Sequence, residues 1–86
     1  MSEIRFYRKV QKELKSLSKQ DARRVVQEIA RLKFPLPKFL DINKLVNTSN
    51  FYRLRVGKTR AIFEVLEQGA VIMIRKIGYR GNVYRL

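Results

Sequence analysis

The spacing of apolar and polar positions changes period along the chain. Ile4 and Phe6 alternate with Glu3 and Arg5, which predicts a short edge strand. From Tyr7 the period lengthens. Val10, Leu14 and Leu17 fall at i, i+4 and i+7, one helical stripe, while Arg8, Lys9, Lys12 and Lys15 occupy the other faces. Ser18-Lys19-Gln20-Asp21 then reads as a second start: a serine N-cap accepts an orphan amide bond, and an aspartate three residues on suits the helix N-terminus. Ala22, Val25, Val26, Ile29, Ala30 and the stem of Lys33 form the apolar face of this helix. Phe34-Pro35-Leu36-Pro37 ends it, because proline lacks an amide donor and biases its predecessor away from helix. With a single capping residue between them, the two helices are expected to form an antiparallel hairpin.

Residues 38–51 read as a connection closed by the turn-prone Asn47-Thr48-Ser49-Asn50. Beyond it the period is two. Tyr52, Leu54 and Val56 alternate with Arg53 and Arg55, and Gly57-Lys58 makes a turn. Arg60, Ile62, Glu64 and Leu66 alternate with Ala61, Phe63 and Val65. After Glu67-Gln68-Gly69, the β-branched run from Ala70 to Ile77 has the character of a central strand, with Gly78 as its break. Val83 to Leu86 closes the chain as a further strand-like stretch. Helical pattern first and strand pattern last predict a single α+β domain, residues 1–86.

Charge changes the picture. The 86 residues carry 20 Lys+Arg against 7 Asp+Glu, a formal net charge of +13, yet 45% of them are hydrophobic. Such a chain folds in spite of self-repulsion, so the excess points to a polyanionic partner: nucleic acid, an acidic protein or an anionic membrane. The chain has no Cys and no His, which excludes zinc sites, disulfides, thiol nucleophiles and Ser-His-Asp triads. Its longest apolar run, Ala70 to Ile74, is far below the ~20 residues that span a bilayer. A soluble, cytoplasmic protein is expected.

Arginine recurs where the sheet should have a polar face. Arg53 and Arg55 are two apart and share one side of a strand; Arg60 opens the next strand, Arg80 follows the last long one, and Tyr84 comes four residues later. Guanidinium groups bind phosphate in bidentate fashion and stay charged when partly buried, so several on one face would form a phosphate cradle. Each also has a plainer reading, as solubilising charge on a wet strand face or, for Tyr84, as a core-edge aromatic. The basic helical positions divide the same way, between a solvated face and contacts to a nucleic-acid backbone.

Taken in order, Asn43-Lys44-Leu45, Tyr52-Arg53-Leu54-Arg55-Val56-Gly57, Arg60-Ala61-Ile62-Phe63, Ile77-Gly78-Tyr79-Arg80 and Val83-Tyr84 resemble the RelE/ParE toxin superfamily, over essentially the whole chain. The resemblance implies a helical hairpin packed on a twisted, mostly antiparallel four-stranded sheet, after an N-terminal strand. For the RelE branch it implies a ribosome-dependent endoribonuclease that cuts mRNA in the A site. The 2′-OH of the substrate attacks the phosphodiester, leaving a 2′,3′-cyclic phosphate and a 5′-hydroxyl, without metal or cofactor. The catalytic set carried over is Arg53, Arg55, Arg60, Arg80 and Tyr84. Arg8, Lys12, Lys15, Lys58, Tyr79 and Arg85 are the expected RNA-binding residues.

Two positions depart from the family pattern. Arginines stand at 53 and 55 where known members carry lysines, one of them a proposed general base, and arginine is a poor proton acceptor. Arg55 would then act through charge, with Glu64 the one carboxylate inside the strand motifs that could serve as base. Tyr79 stands where several relatives carry His or a basic residue. Two other functions share these features: a ParE-like gyrase inhibitor, and a non-catalytic RNA- or ribosome-binding module. The resemblance also implies a small antitoxin partner, acidic and partly helical, in a toxin–antitoxin hetero-oligomer, and no association with membranes.

Overall fold

The computed structural model describes residues 2–79. The strand expected at 83–86 and the site residues Arg80, Tyr84 and Arg85 lie outside the described residues. Strand β1 (Glu3–Phe6) leads into helices α1 (Arg8–Lys15) and α2 (Lys19–Ile29). Then come β2 (Ile42–Lys44), β3 (Phe51–Val56), β4 (Thr59–Leu66), a 3-10 turn (Glu67–Gly69) and β5 (Val71–Tyr79). The strands form one sheet in the order β1-β5-β4-β3-β2. All neighbours are antiparallel except β1 and β5, which run parallel.

The α+β expectation holds, and the sheet of the described residues has five strands, the N-terminal one among them. One of the five lies in the stretch read as a connection: Ile42 pairs with Leu54 and Lys44 with Tyr52, so β2 covers the outer edge of β3. The centre of the sheet is β4, not the run after Gly69. Strand β5 has neighbours on both sides only from Val71 to Ile74, and it continues through Gly78 to Tyr79. Past the end of β1, α1 covers its edge instead. The Ile77 amide donates to Glu13 Oε1 at 2.9 Å, so a helix carboxylate satisfies an edge N–H that no strand reaches.

The core lies between one face of the sheet and the helices. Leu54, Val56, Ala61, Phe63, Ile72, Ile74 and Ile77 meet Val10, Leu17, Val25 and Ile29, with Leu32 and Leu40 closing the ends. Ser18 caps α2 as its sequence predicts, Oγ accepting from the Asp21 amide at 3.1 Å. The helix ends at Ile29, short of Lys33. Tight bonds from the Arg31 and Leu32 amides to the Glu28 and Ile29 carbonyls turn the chain and drop Leu32 into the core. The buried stripe is therefore Val25, Ile29 and Leu32, and Val26 and Ala30 face outward.

One irregularity sets the direction of side chains at the end of β5. Ile62 pairs with Lys76 but Phe63 with Ile74, so Arg75 is an extra residue, a bulge that shifts the alternation of everything after it. No helix among the described residues is long and apolar enough to cross a membrane.

Candidate nucleic-acid interface

The face of the sheet away from the helices carries the arginines. Cross-strand partners share a face, so the register lays that face out in rows. The first row runs Asp41, Arg55, Arg60, Gly78: the Arg55 amide donates to the Asp41 carbonyl at 2.9 Å, and Arg60 pairs with Arg55 and Gly78. The second runs Asn43, Arg53, Ile62, Lys76. The third runs Phe51, Glu64, Met73, Arg5. Three of the five residues expected to be catalytic, Arg53, Arg55 and Arg60, thus share two adjacent rows. Arg80 and Tyr84 lie outside the described residues.

Arg60 is the unusual member. It is only 7% exposed, and its cross-strand partner on β5 is Gly78. Its Nη1 makes two long bonds, to the Gly57 carbonyl at 3.4 Å and the Thr59 carbonyl at 3.5 Å. Its Nε, also buried, has no acceptor among the described residues. A buried guanidinium normally satisfies its donors, because an unmet charged donor is costly in low dielectric. In Arg60 the Nε–H is the donor left without a partner among the described residues.

Arg55 is exposed and oriented by Asp41, with Nε to Oδ2 at 2.7 Å. Asp41 was invisible to sequence reasoning. Its side chain gains a meaning only through the pairing of β2 with β3, and the sequence does not signal that strand. Glu64, the strand carboxylate weighed as a base, is committed elsewhere. It ion-pairs with Arg75 at 2.6 Å and accepts from Asn50 Nδ2 at 3.3 Å. Arg75 in turn covers the Tyr7 ring at 4.1 Å and the Phe51 ring at 5.3 Å. Glu64 therefore braces the bulge at the far end of the face from Arg55 and Arg60.

Tyr79 lies on the opposite side from the role expected of it. The bulge at Arg75 turns its ring toward the helices, where its hydroxyl accepts from the Ser18 amide at 3.0 Å and donates to Asp21 Oδ2 at 2.8 Å. That bond holds the Asp21 carboxyl below the usual aspartate range, with Ser18 and the nearby charges of Lys58 and Arg24 assisting. Lys58 sits over the Tyr79 ring at 5.4 Å and reaches Asp21 at 3.9 Å. Tyr79 and Lys58 thus latch the start of α2 to the end of β5.

Arg8, Lys12 and Lys15 do come together. With Tyr7, Lys9 and Gln11 they line an open groove of about 670 Å³ along α1, all three exposed. None of the three has an acidic partner among the described residues. Lys12 and Lys15 also lie in the last turn of α1, where they complement the helix dipole. Among the described residues no group of three or more His, Cys, Asp or Glu could hold a metal ion.

Comparison with known proteins extends this geometry. Residues 4–84 match the family described as the ParE toxin of the type II toxin–antitoxin system parDE. A Methanocaldococcus jannaschii protein provisionally named toxin RelE1 is 34% identical over 84 residues, covering 95% of this chain and 93% of that protein. The chain also superposes on the Pyrococcus horikoshii archaeal RelE–RelB complex at TM-score 0.76 and 33% identity, covering 94% of this chain and 97% of that one. The Methanococcus jannaschii RelB–RelE antitoxin–toxin complex gives TM-score 0.77 at 28% identity, over 93% and 94% of the two chains.

Proposed function

This chain belongs to the ParE toxin family of type II toxin–antitoxin systems, with RelE-like relatives, and on that premise we propose that it is an endoribonuclease that cuts mRNA in the ribosomal A site. The observation that carries the proposal is Arg60, a buried guanidinium whose Nε lacks a partner among the described residues, beside Arg55 and Arg53 on the face away from the helices. Cleavage by 2′-OH attack forms the 2′-O–P bond and breaks the P–O5′ bond. The proton leaves the 2′-oxygen and another reaches the 5′-oxygen, through a dianionic phosphorane that carries one negative charge more than the phosphodiester. Arg60 and Arg55 supply fixed positive charge where that charge develops, and need no reorganisation to do so. Arg53, one row along, sits where it can orient the same phosphate. Arg80 and Tyr84 complete the set by family resemblance, as donors to the leaving oxygen or partners to a base.

RelE relatives crystallise with RelB antitoxins, and this chain is proposed to pair likewise with an antitoxin of its own. A net charge of +13 favours an acidic one. The test of the cleavage reading is end mapping on ribosomes programmed with a defined A-site codon. A cut within that codon leaving a 2′,3′-cyclic phosphate, lost in Arg80→Ala and Tyr84→Ala, is expected. Salt-sensitive ribosome binding without a cut would point to a non-catalytic module. Absence of both, with inhibition of gyrase, would point to ParE-type action.

A further inference from the structure

The β3–β4 turn is ringed by cations, and the open face accounts for only some of them. Gly57 stands at its centre in the left-handed region, φ +59°. Arg60 reaches the Gly57 carbonyl from one side. From the other, the Arg24 guanidinium of α2 lies against the glycine so closely that a Cβ there would meet Nη1 at 3.3 Å and Nη2 at 3.6 Å. Between α2 and the turn opens a pocket of about 240 Å³ lined by Arg24, Gln27, Glu28, Arg55, Val56 and Gly57. Arg55 belongs both to this pocket and to the first row of the open face, so the two are continuous.

The charges of the pocket are unequally satisfied. Arg55 has Asp41, and Glu28 lies within 3.7 Å of Arg31. Asp21 feels the charge of Arg24 through space, but its hydrogen bonds are to Tyr79 and Ser18. Arg24 itself is exposed and has no hydrogen bond or ion pair among the described residues. Its place is set by packing on a glycine backbone rather than by an acid. Gln27, three residues on, adds a neutral donor on the same side of the helix. No aromatic residue lines the pocket, so it is poorly suited to stack a base. A planar guanidinium fork with a neighbouring amide suits a phosphate.

We infer that this pocket is a second phosphate site, which takes the RNA phosphate adjacent to the one held at Arg55 and Arg60, with Arg24 as its principal contact. The inference rests on the proposed RNA reading for the identity of the first phosphate. It makes Arg24 a register-setting residue: a message seated with two neighbouring phosphates on two arginine sites is fixed along its own length before any bond breaks.

The test is an NMR titration of the full chain with 2′-O-methyl oligonucleotides, which cannot be cleaved. A trinucleotide with two phosphodiesters is compared with a dinucleotide that has one. The trinucleotide is expected to shift the Gly57 amide and the Arg24 Nε–H signals. Arg24→Gln is expected to weaken the trinucleotide about tenfold, the scale of one charged hydrogen bond, and leave the dinucleotide unchanged. The slope of log affinity against log salt falls by about one for the trinucleotide. Equal weakening of both oligonucleotides, unmoved Gly57 and Arg24 signals, or no trinucleotide binding would overturn the site. Cleavage on programmed ribosomes, run beside it, separates the two claims. If the trinucleotide contrast holds but no message is cut, the site stands and the cleavage reading falls; if message is cut but the contrast is absent, the reverse is true.

Discussion

The two faces of one sheet are built by opposite rules. On the helix side the inward positions from Leu54 to Ile77 are mostly apolar and buried, and polar groups at its edge are matched, Glu13 to an edge amide and Tyr79 to Ser18 and Asp21; the buried Thr59 hydroxyl alone there lacks a partner among the described residues. On the other side Arg53, Arg55 and Arg60 stand within two rows, and Arg60 is buried with its Nε unpartnered among the described residues. Neighbours on a single strand, such as Leu54 and Arg55, belong to different regimes. One face is filled with apolar side chains, and the other concentrates positive charge.

Substitutions on the two sides should therefore part company. Phe63→Ala, which removes the largest buried side chain and its stack on Tyr52 at 5.5 Å, is expected to cost about 3–5 kcal/mol in urea melts. A loss under 1 kcal/mol would mean that the helix side is not the core. Gly69→Ala comes next, at roughly 1–3 kcal/mol. Gly69 has φ +98° and a Cβ there would run into the Phe34 ring, so it closes the end where Ser2 Oγ ties the Gly69 carbonyl to the Phe34 amide. An unchanged melting temperature would show that this closure is loose.

On the open side the effects should appear in binding instead. Asp41→Asn removes the carboxylate from Arg55 and is expected to tighten message binding several-fold, with little change in melting temperature, because exposed ion pairs add about 0–1 kcal/mol. Weaker binding would instead make Asp41 essential for holding Arg55 in position. The smallest effect is expected at the latch. Asp21 titrates below the usual range, so its contribution is complete above about pH 4 and is lost as pH falls through its lowered folded value. Melting curves from pH 5 downward should fall more steeply for the wild type than for Tyr79→Phe. Parallel curves would remove the latch from the account.

Much of this was legible in the periodicity. The alternation from Tyr52 to Val56 puts Arg53 and Arg55 on one face, the pairing of Arg55 with Arg60 adds the third arginine to it, and Ser18 is a helix cap in sequence and in structure. What escaped depends on tertiary pairing. Ile42–Lys44 has three residues and one apolar position, too few to show a period, and with it went Asp41. Arg24 acquires its neighbour Gly57 only when α2 folds over the turn. Tyr79 is expected among the RNA-binding residues, and unbroken alternation from Ile74 would aim it at the face away from the helices. The single inserted residue at Arg75 reverses that, and no local composition announces the bulge.

The most direct measurement is the single-turnover cleavage rate of Arg60→Gln on programmed ribosomes, with its melting temperature taken beside it. The account predicts a rate lower by ~10²–10³, the scale of a lost transition-state donor, and a melting temperature that is unchanged or higher, since an unsatisfied buried charge has been removed. A variant that cleaves at the wild-type rate would contradict it.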